Sequence, residues 1–392
     1  MIALMRYSTA LLAALACLTL CTPAIAYASS PAPAATPTPA ATPTATPTPS
    51  SSLGYIVLLG SFHTTGVNAT GALDQPSGVD LATRTDFNDF FLNASAGTGK
   101  LRASALIGEY SFPTLGFALN PALQPGANTR LFGVVPIGSL QYSFNDRWSV
   151  AAGKFGALLG QESPFTFQNV NVQRGLAWSL EPTISRGVHV SYAQGAWSGT
   201  LEFNDAYYSG HDRAWEALFG YAPTSNTNIQ FAAIVPKANA SSNPTVTVGN
   251  KVEYDLFPTQ TIGKLQLQPY LLWVRSPAST ALGYTHDETA FASVFMGTYS
   301  FNSGYSVAAR WEQVNNHSAT TDTSPNADLV GFGPGSGGTT FTLTPTYRHG
   351  ISFVRLEYSH MTVQRATPGL AFGPSGTGTT QNRIGLELGV QR

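Results

Sequence analysis

From Leu53 to Arg392 the chain alternates apolar and polar residues with period two, in separate runs divided by turn-forming residues. In "TFTLTPTYR", Phe341, Leu343, Pro345 and Tyr347 share one face and Thr342, Thr344 and Thr346 share the other. In "RIGLELGV", Ile384, Leu386, Leu388 and Val390 oppose Arg383, Gly385 and Glu387. Period two describes strands with one apolar and one polar face. About 16 such runs begin near residues 53, 85, 100, 137, 147, 183, 196, 212, 227, 248, 264, 287, 304, 339, 351 and 379, with 14 and 18 as the bounds of the count. Their connections alternate in length. Short turns ("AGTG", "NDR", "QGA", "PTSN", "PTQTIG", "NSG", "HG") interleave with long Gly/Pro/Asn/Ser-rich stretches such as Gly66–Thr83, Tyr110–Pro136 and Asn315–Gly338. A soluble sandwich has no reason to keep its long loops at one end. The pattern predicts an all-β fold, a transmembrane up-and-down antiparallel β-barrel with short periplasmic turns and long extracellular loops.

Composition agrees. Charged residues are 10% of the chain, against roughly 25% in a soluble globular protein. Beyond the N-terminus no run is long and apolar enough for a membrane helix. With 20 basic and 21 acidic residues, no basic surface for nucleic acid is implied. Arg6, the apolar "TALLAALACLTL" and the small-residue "AIAYA" read as a signal peptide over residues 1–28. Both cysteines, Cys17 and Cys21, fall inside it, and Ala14 argues against lipoprotein cleavage at Cys17. Residues 29–52, "SSPAPAATPTPAATPTATPTPSSS", favour polyproline II, which at about 3.1 Å per residue spans on the order of 70 Å. They are expected to form a disordered periplasmic tether, followed by an outer-membrane barrel over residues 53–392.

The polar face carries a recurring triplet. Arg310-Trp311-Glu312, Arg355-Leu356-Glu357 and Lys251-Val252-Glu253-Tyr254-Asp255 place charges two apart, with apolar or aromatic residues pointing the other way. Arg383 and Glu387, four apart, share the polar face of the last run. Facing lipid, an arginine costs about 2–4 kcal/mol at the bilayer midplane, so these side chains are expected on the wall of a water-filled lumen. Trp148, Tyr142, Phe144, Trp215, Phe219, Tyr221, Tyr299, Phe301 and Tyr305 gather near run ends, as an interfacial aromatic girdle would.

"GKFGALLGQESPF", Gly153 to Phe165, ends the fifth run and opens a long loop expected from about Gly156 to Pro182. It is no phosphate cradle, since no glycine stands four residues before the Gly-Lys pair and no Ser or Thr follows it. "GKFGALLGQE", "NVNVQRGLAW" and "EPTISRGVHVSY" together resemble the OmpL-like β-barrel porin family, most clearly from Gly153 to Asn204. The resemblance implies an outer-membrane diffusion channel for ions and small hydrophilic solutes, without cofactor and compatible with a homotrimer. In general porins the third loop folds into the barrel. On that basis Lys154, Glu162 and Arg174, with Glu181 and Arg186 at the loop's exit, are candidate constriction charges. Opposed charges there would orient polar solutes and discriminate ions.

Arg383-x-Gly385-x-x-Leu388-x-Val390 resembles the C-terminal signal read by the barrel-assembly machinery, with Gln391 and Arg392 where a terminal aromatic is usual. Outer-membrane lipid and lipopolysaccharide are the expected surroundings. Two other classes fit a barrel: an adhesin or structural anchor, and a barrel hydrolase. The hydrolase requires a nucleophile, a histidine and an orienting carboxylate at one rim. The seven histidines are scattered, and no Gly-x-Ser-x-Gly elbow accompanies them. No catalytic or metal site is expected, because the required spacings are lacking.

Overall fold

The computed structural model describes residues 50–67, 82–119, 122, 127–210, 212–237, 251–280, 283, 285–302, 304–317, 322 and 327–392. The expected signal peptide and nearly all of the expected tether lie outside them. The strands are β1 (Ser50–Thr65), β2 (Thr83–Thr98), β3 (Leu101–Tyr110), β4 (Ile137–Ser143), β5 (Trp148–Gly156) and β6 (Ile184–Gln194). They continue with β7 (Trp197–Asn204), β8 (Ala214–Thr224), β9 (Thr227–Pro236), β10 (Val252–Leu256), β11 (Thr259–Ile262) and β12 (Leu265–Leu267). The last six are β13 (Tyr270–Ser276), β14 (Glu288–Asn302), β15 (Tyr305–Asn316), β16 (Gly337–His349), β17 (Ser352–Gln364) and β18 (Thr380–Gln391). A short helix, α1 (Ala127–Phe132), precedes β4.

All of these segments join one sheet, and sixteen strands close it into a barrel. The segments outnumber the strands because proline breaks two of them. Pro258 separates β10 from β11 and Pro269 separates β12 from β13, each removing a ladder donor. Across the break Phe257 still donates its N–H to Gln230, at 2.9 Å, so the line of the strand is kept. Closure is antiparallel between β1 and β18, from Ile56 opposite Gln391 to Thr65 opposite Asn382. Tyr55 and Arg392 exchange backbone hydrogen bonds of 3.0 and 2.9 Å at the seam. The first strand begins at Ser50, so Ser50–Ser52, expected in the tether, pair with Gly97, Ala96 and Ser95.

Every tight turn, from Thr98–Leu101 to His349–Ser352, lies at the end of the barrel that holds both ends of the sheet. The long connections lie at the other end. The outer surface is apolar by strand parity: Ile384, Leu386 and Leu388 are exposed, while Arg383 and Glu387, of the opposite parity, are buried. β17 repeats this, with Val354, Leu356 and Tyr358 outward and Arg355 and Glu357 inward. Near the tight turns the aromatics pair across strands: Trp148 with Tyr192 (4.6 Å between ring centroids), Trp197 with Tyr221 (4.1 Å) and Tyr305 with Tyr347 (4.5 Å). Rings with an apolar body and a polar edge suit the interface between lipid and water.

Candidate functional site

The connection between β5 and β6, residues 157–183, turns inward and crosses the lumen. It carries two single 3₁₀ turns, Thr166–Gln168 and Ala177–Leu180, and most of Val172–Leu180 is buried. A segment without a ladder must find partners for its backbone groups elsewhere. Here the charged residues of the wall supply them.

Wall carboxylates accept from loop N–H groups. Glu357 takes those of Val172 (2.6 Å) and Gln173 (3.0 Å), Glu312 those of Leu176 (2.9 Å) and Ala177 (3.2 Å), and Asp255 that of Gly160 (2.7 Å). Asp89 takes that of Phe167 (3.1 Å), and Glu216 that of Leu158. Wall cations donate to loop carbonyls. Arg355 reaches Asn169 (2.7 Å) and Thr166 (3.1 Å), Arg310 reaches Gln173 (2.8 Å) and Lys251 reaches Leu180 (3.0 Å). Arg383 holds the side-chain oxygen of Gln173 (2.8 Å) and carbonyls of Thr114 and Phe117 in the preceding long loop. Glu387 accepts from Arg355 at 2.7 Å and from Asn88 at 2.7 Å, and Glu253 accepts from the Tyr207 hydroxyl at 3.2 Å. All the wall candidates therefore point inward, but their charge is engaged by protein rather than facing open water.

The loop's own charges behave similarly. Glu162 is 5% exposed, pairs with Arg310 and accepts from the Gly175 N–H at 2.8 Å. Burial raises its carboxyl to about 7, against the opposing pull of Arg310. Arg174 is fully buried, with Phe112 and Trp178 rings each 5.8 Å from its guanidinium, and donates to Pro164, Pro113 and Thr166. Burial lowers it to about 10. Glu181 is buried beside Asp255 and Glu253, and burial followed by those two carboxylates pushes its own carboxyl well up.

Lys154 and Arg186 are placed elsewhere. They are register partners at positions of the same parity as the exposed Ala152 and Val188, which turns them away from the lumen. Lys154 ties down the carbonyls of Phe132 (2.6 Å) and Val135 (2.9 Å), and Arg186 pairs with Asp205 (2.6 Å). Both lie over the Tyr208 ring, at 5.5 and 4.0 Å.

Glycine makes two of the loop's close approaches. Gly160 has φ +78°, and a Cβ there would fall on the Glu181 carboxylate; one at Gly175 would fall on that of Glu312. Sequence reasoning missed Asp89, Glu216 and Glu202. The last two were within reach, since in Leu201-Glu202-Phe203 and Trp215-Glu216-Ala217 a single charge alternates with apolar neighbours in a period-two run. Asp89 was not: a register shift at Leu58/Leu59 buries both Asn88 and Asp89, against strict alternation.

On the apolar side the loop forms a core with the wall. Leu159, Leu176, Ala177 and Leu180 pack with inward Ile234, Leu272, Val274, Ala290, Ala292, Val294 and Val314. Inward residues from β13 to β18 are mostly buried, whereas Ser139, Gln141, Ser149, Ser191 and Thr200 on β4 to β7 stay partly exposed. The loop thus closes one side of the lumen and leaves the other open.

A closed antiparallel barrel with a lipid-type outer face, a polar interior and a long loop folded across it defines the porin class of outer-membrane channel. The chain belongs to the family described as "Putative beta-barrel porin-2, OmpL-like", whose profile matches residues 55–391. Among solved structures it is similar to OmpT of Vibrio cholerae (12% identity, TM-score 0.56, 88% of this chain and 98% of that one). It is also similar to an anion-selective porin from Comamonas acidovorans (10% identity, TM-score 0.57, 88% and 100%). At such identities the likeness establishes the fold. A search of curated proteins found no match.

Proposed function

We propose that this outer-membrane porin is a narrow passive-diffusion channel for ions and small hydrophilic solutes, constricted by the loop 157–183. The observation that carries the reading is the loop's attachment: wall charges on β2, β8, β10, β15, β17 and β18 bind it across the lumen. Charges committed to backbone groups hold a constriction at fixed bore, and they leave little free charge to sort ions. Weak ion selectivity follows.

Residues 29–49 act as a periplasmic spacer beside the end that holds the tight turns. OmpT has been solved in a trimer form, which supports side-by-side assembly of copies of this chain as well. In planar bilayers the purified protein is expected to give stable, small unitary steps, and in a potassium chloride gradient a reversal potential near zero. Absence of steps would favour a plugged anchor over a channel.

A further inference from the structure

Between the two arms of the in-folded loop and the heads of β4 and β5 lies a cavity of about 290 Å³. Its polar lining comes from Gln161, Ser163, Gln168 and Thr183, and its apolar lining includes Trp178 and Ile137. Glu162 is the one charged residue lining it, and both of its oxygens are occupied, by Arg310 and by the Gly175 N–H. The side-chain oxygen of Gln161 is buried and has no hydrogen-bond partner within the protein. A buried amide oxygen left without a partner costs about as much as a lost hydrogen bond, so a turn of the Gln161 amide toward the cavity it lines, where a solute can donate to it, is favoured.

The open wall has the same chemistry. Its inward positions include Ser104 and Ser139 (3.3 Å apart), Ser191 and Thr200 (3.0 Å apart), Gln141 and Gln230, with Arg102 beside Gln141 and His189 beside Glu202 as the ionisable groups among them. Hydroxyls and amides both donate and accept, so they exchange hydrogen bonds with a passing solute without favouring either sign of charge. The charged residues stand mainly on the opposite side, where the loop engages them.

Resting on the porin reading above, we propose that the preferred solutes are uncharged and hydroxyl-rich, of the sugar and polyol class, and that the cavity at Gln161 and Trp178 is their subsite. Such molecules present hydroxyls for amide side chains and C–H faces for an indole edge. An ionised analogue would enter a lining with no free counter-charge and pay for its desolvation.

The test uses full-length protein in liposomes, with potassium chloride conductance recorded on the same preparation. Three probes share one carbon skeleton: glucose, gluconate and glucosamine in its protonated form. Swelling with glucose is expected to be several-fold faster than with either charged analogue. Gln161→Leu is expected to lower glucose entry, relative to the ion conductance of the same sample, by about fivefold, the equivalent of one hydrogen bond. If that variant fails to show heat-modifiable migration, Ser163→Ala takes its place with the same ratio as readout. Equal entry of the three probes, or an unchanged ratio in the variant, overturns the proposal and leaves the porin reading standing. No conductance and no entry of any probe overturns the porin reading itself.

Discussion

Single carboxylates in the loop differ in what neutralising them would do. Glu162 opposes a buried arginine, so Glu162→Gln leaves Arg310 with a weaker partner. Glu312 remains 3.6 Å from the same guanidinium, which places the loss at the low end for a broken buried pair, about 3 kcal/mol of loop docking. Glu181 opposes other carboxylates and is held well above its ordinary value of 4.5 by burial, then by Asp255 and Glu253. A carboxyl raised in the folded state favours its protonated form. Its contribution to docking is therefore whole below pH 4.5 and is lost as pH rises from there toward the folded value. Around it stand Asp255, Glu253, Glu162 and Glu312, with Lys251 held on the Leu180 carbonyl. Glu181→Gln is neutral at every pH. At pH 7 it is expected to raise the heat-modification midpoint by a few degrees and to flatten its fall above pH 4.5, whereas Glu162→Gln lowers the midpoint. Equal midpoints for wild type and Glu181→Gln across that range would show that the carboxyl carries no docking cost.

At the scale of elements, the loop and the barrel wall depend on one another unequally. The strands pair continuously around the sheet and close at β1 and β18, so barrel formation needs no loop contact. The loop has only two single 3₁₀ turns of its own and relies on wall groups for its backbone partners. Deleting Phe165–Gln173 removes the stretch held by Asp89, Arg355 and Glu357. The barrel is expected to remain heat-modifiable in detergent gels, while unitary conductance rises severalfold because the crossing segment is gone. Conductance equal to wild type would show that the bore is set elsewhere. The same deletion exposes buried wall charges to water, so ion selectivity is expected to be stronger than in the wild type. A reversal potential in a salt gradient measures that change.

For the whole molecule, the sheet marks where the proposed spacer would stop. Ser50–Ser52 pair with β2, so deletion of residues 29–49 is expected to leave folding and conductance within about twofold of wild type, whereas extending it through Ser52 removes three register pairs. Circular dichroism dominated by strand and migration on gels before and after heating check both deletions. Loss of the folded form in the shorter deletion would make residues 29–49 part of the fold.

Much of this architecture is legible without coordinates, because alternation is a local property. Side chains two apart share a face whatever the rest of the chain does, so Arg355, Glu357, Arg383 and Glu387 could be assigned inward from neighbours such as Leu356 and Leu386. Turn lengths are likewise local, which is why the count of sixteen and the separation of long from short connections follow from the order of residues. Even the two proline breaks, at Pro258 and Pro269, left that count intact, since each broken strand keeps its line. What only the tertiary structure decided is where charge ends up. Glu162 meets Arg310 across 148 positions of sequence, and Gln173 meets Glu357 across 184. No period links such pairs; the closed sheet brings them together. Lys154 and Arg186 sat in the right stretch for a constriction, but register turned them outward. Inward parity is a matter of two residues, whereas an open or an occupied charge depends on a loop folding across the whole lumen.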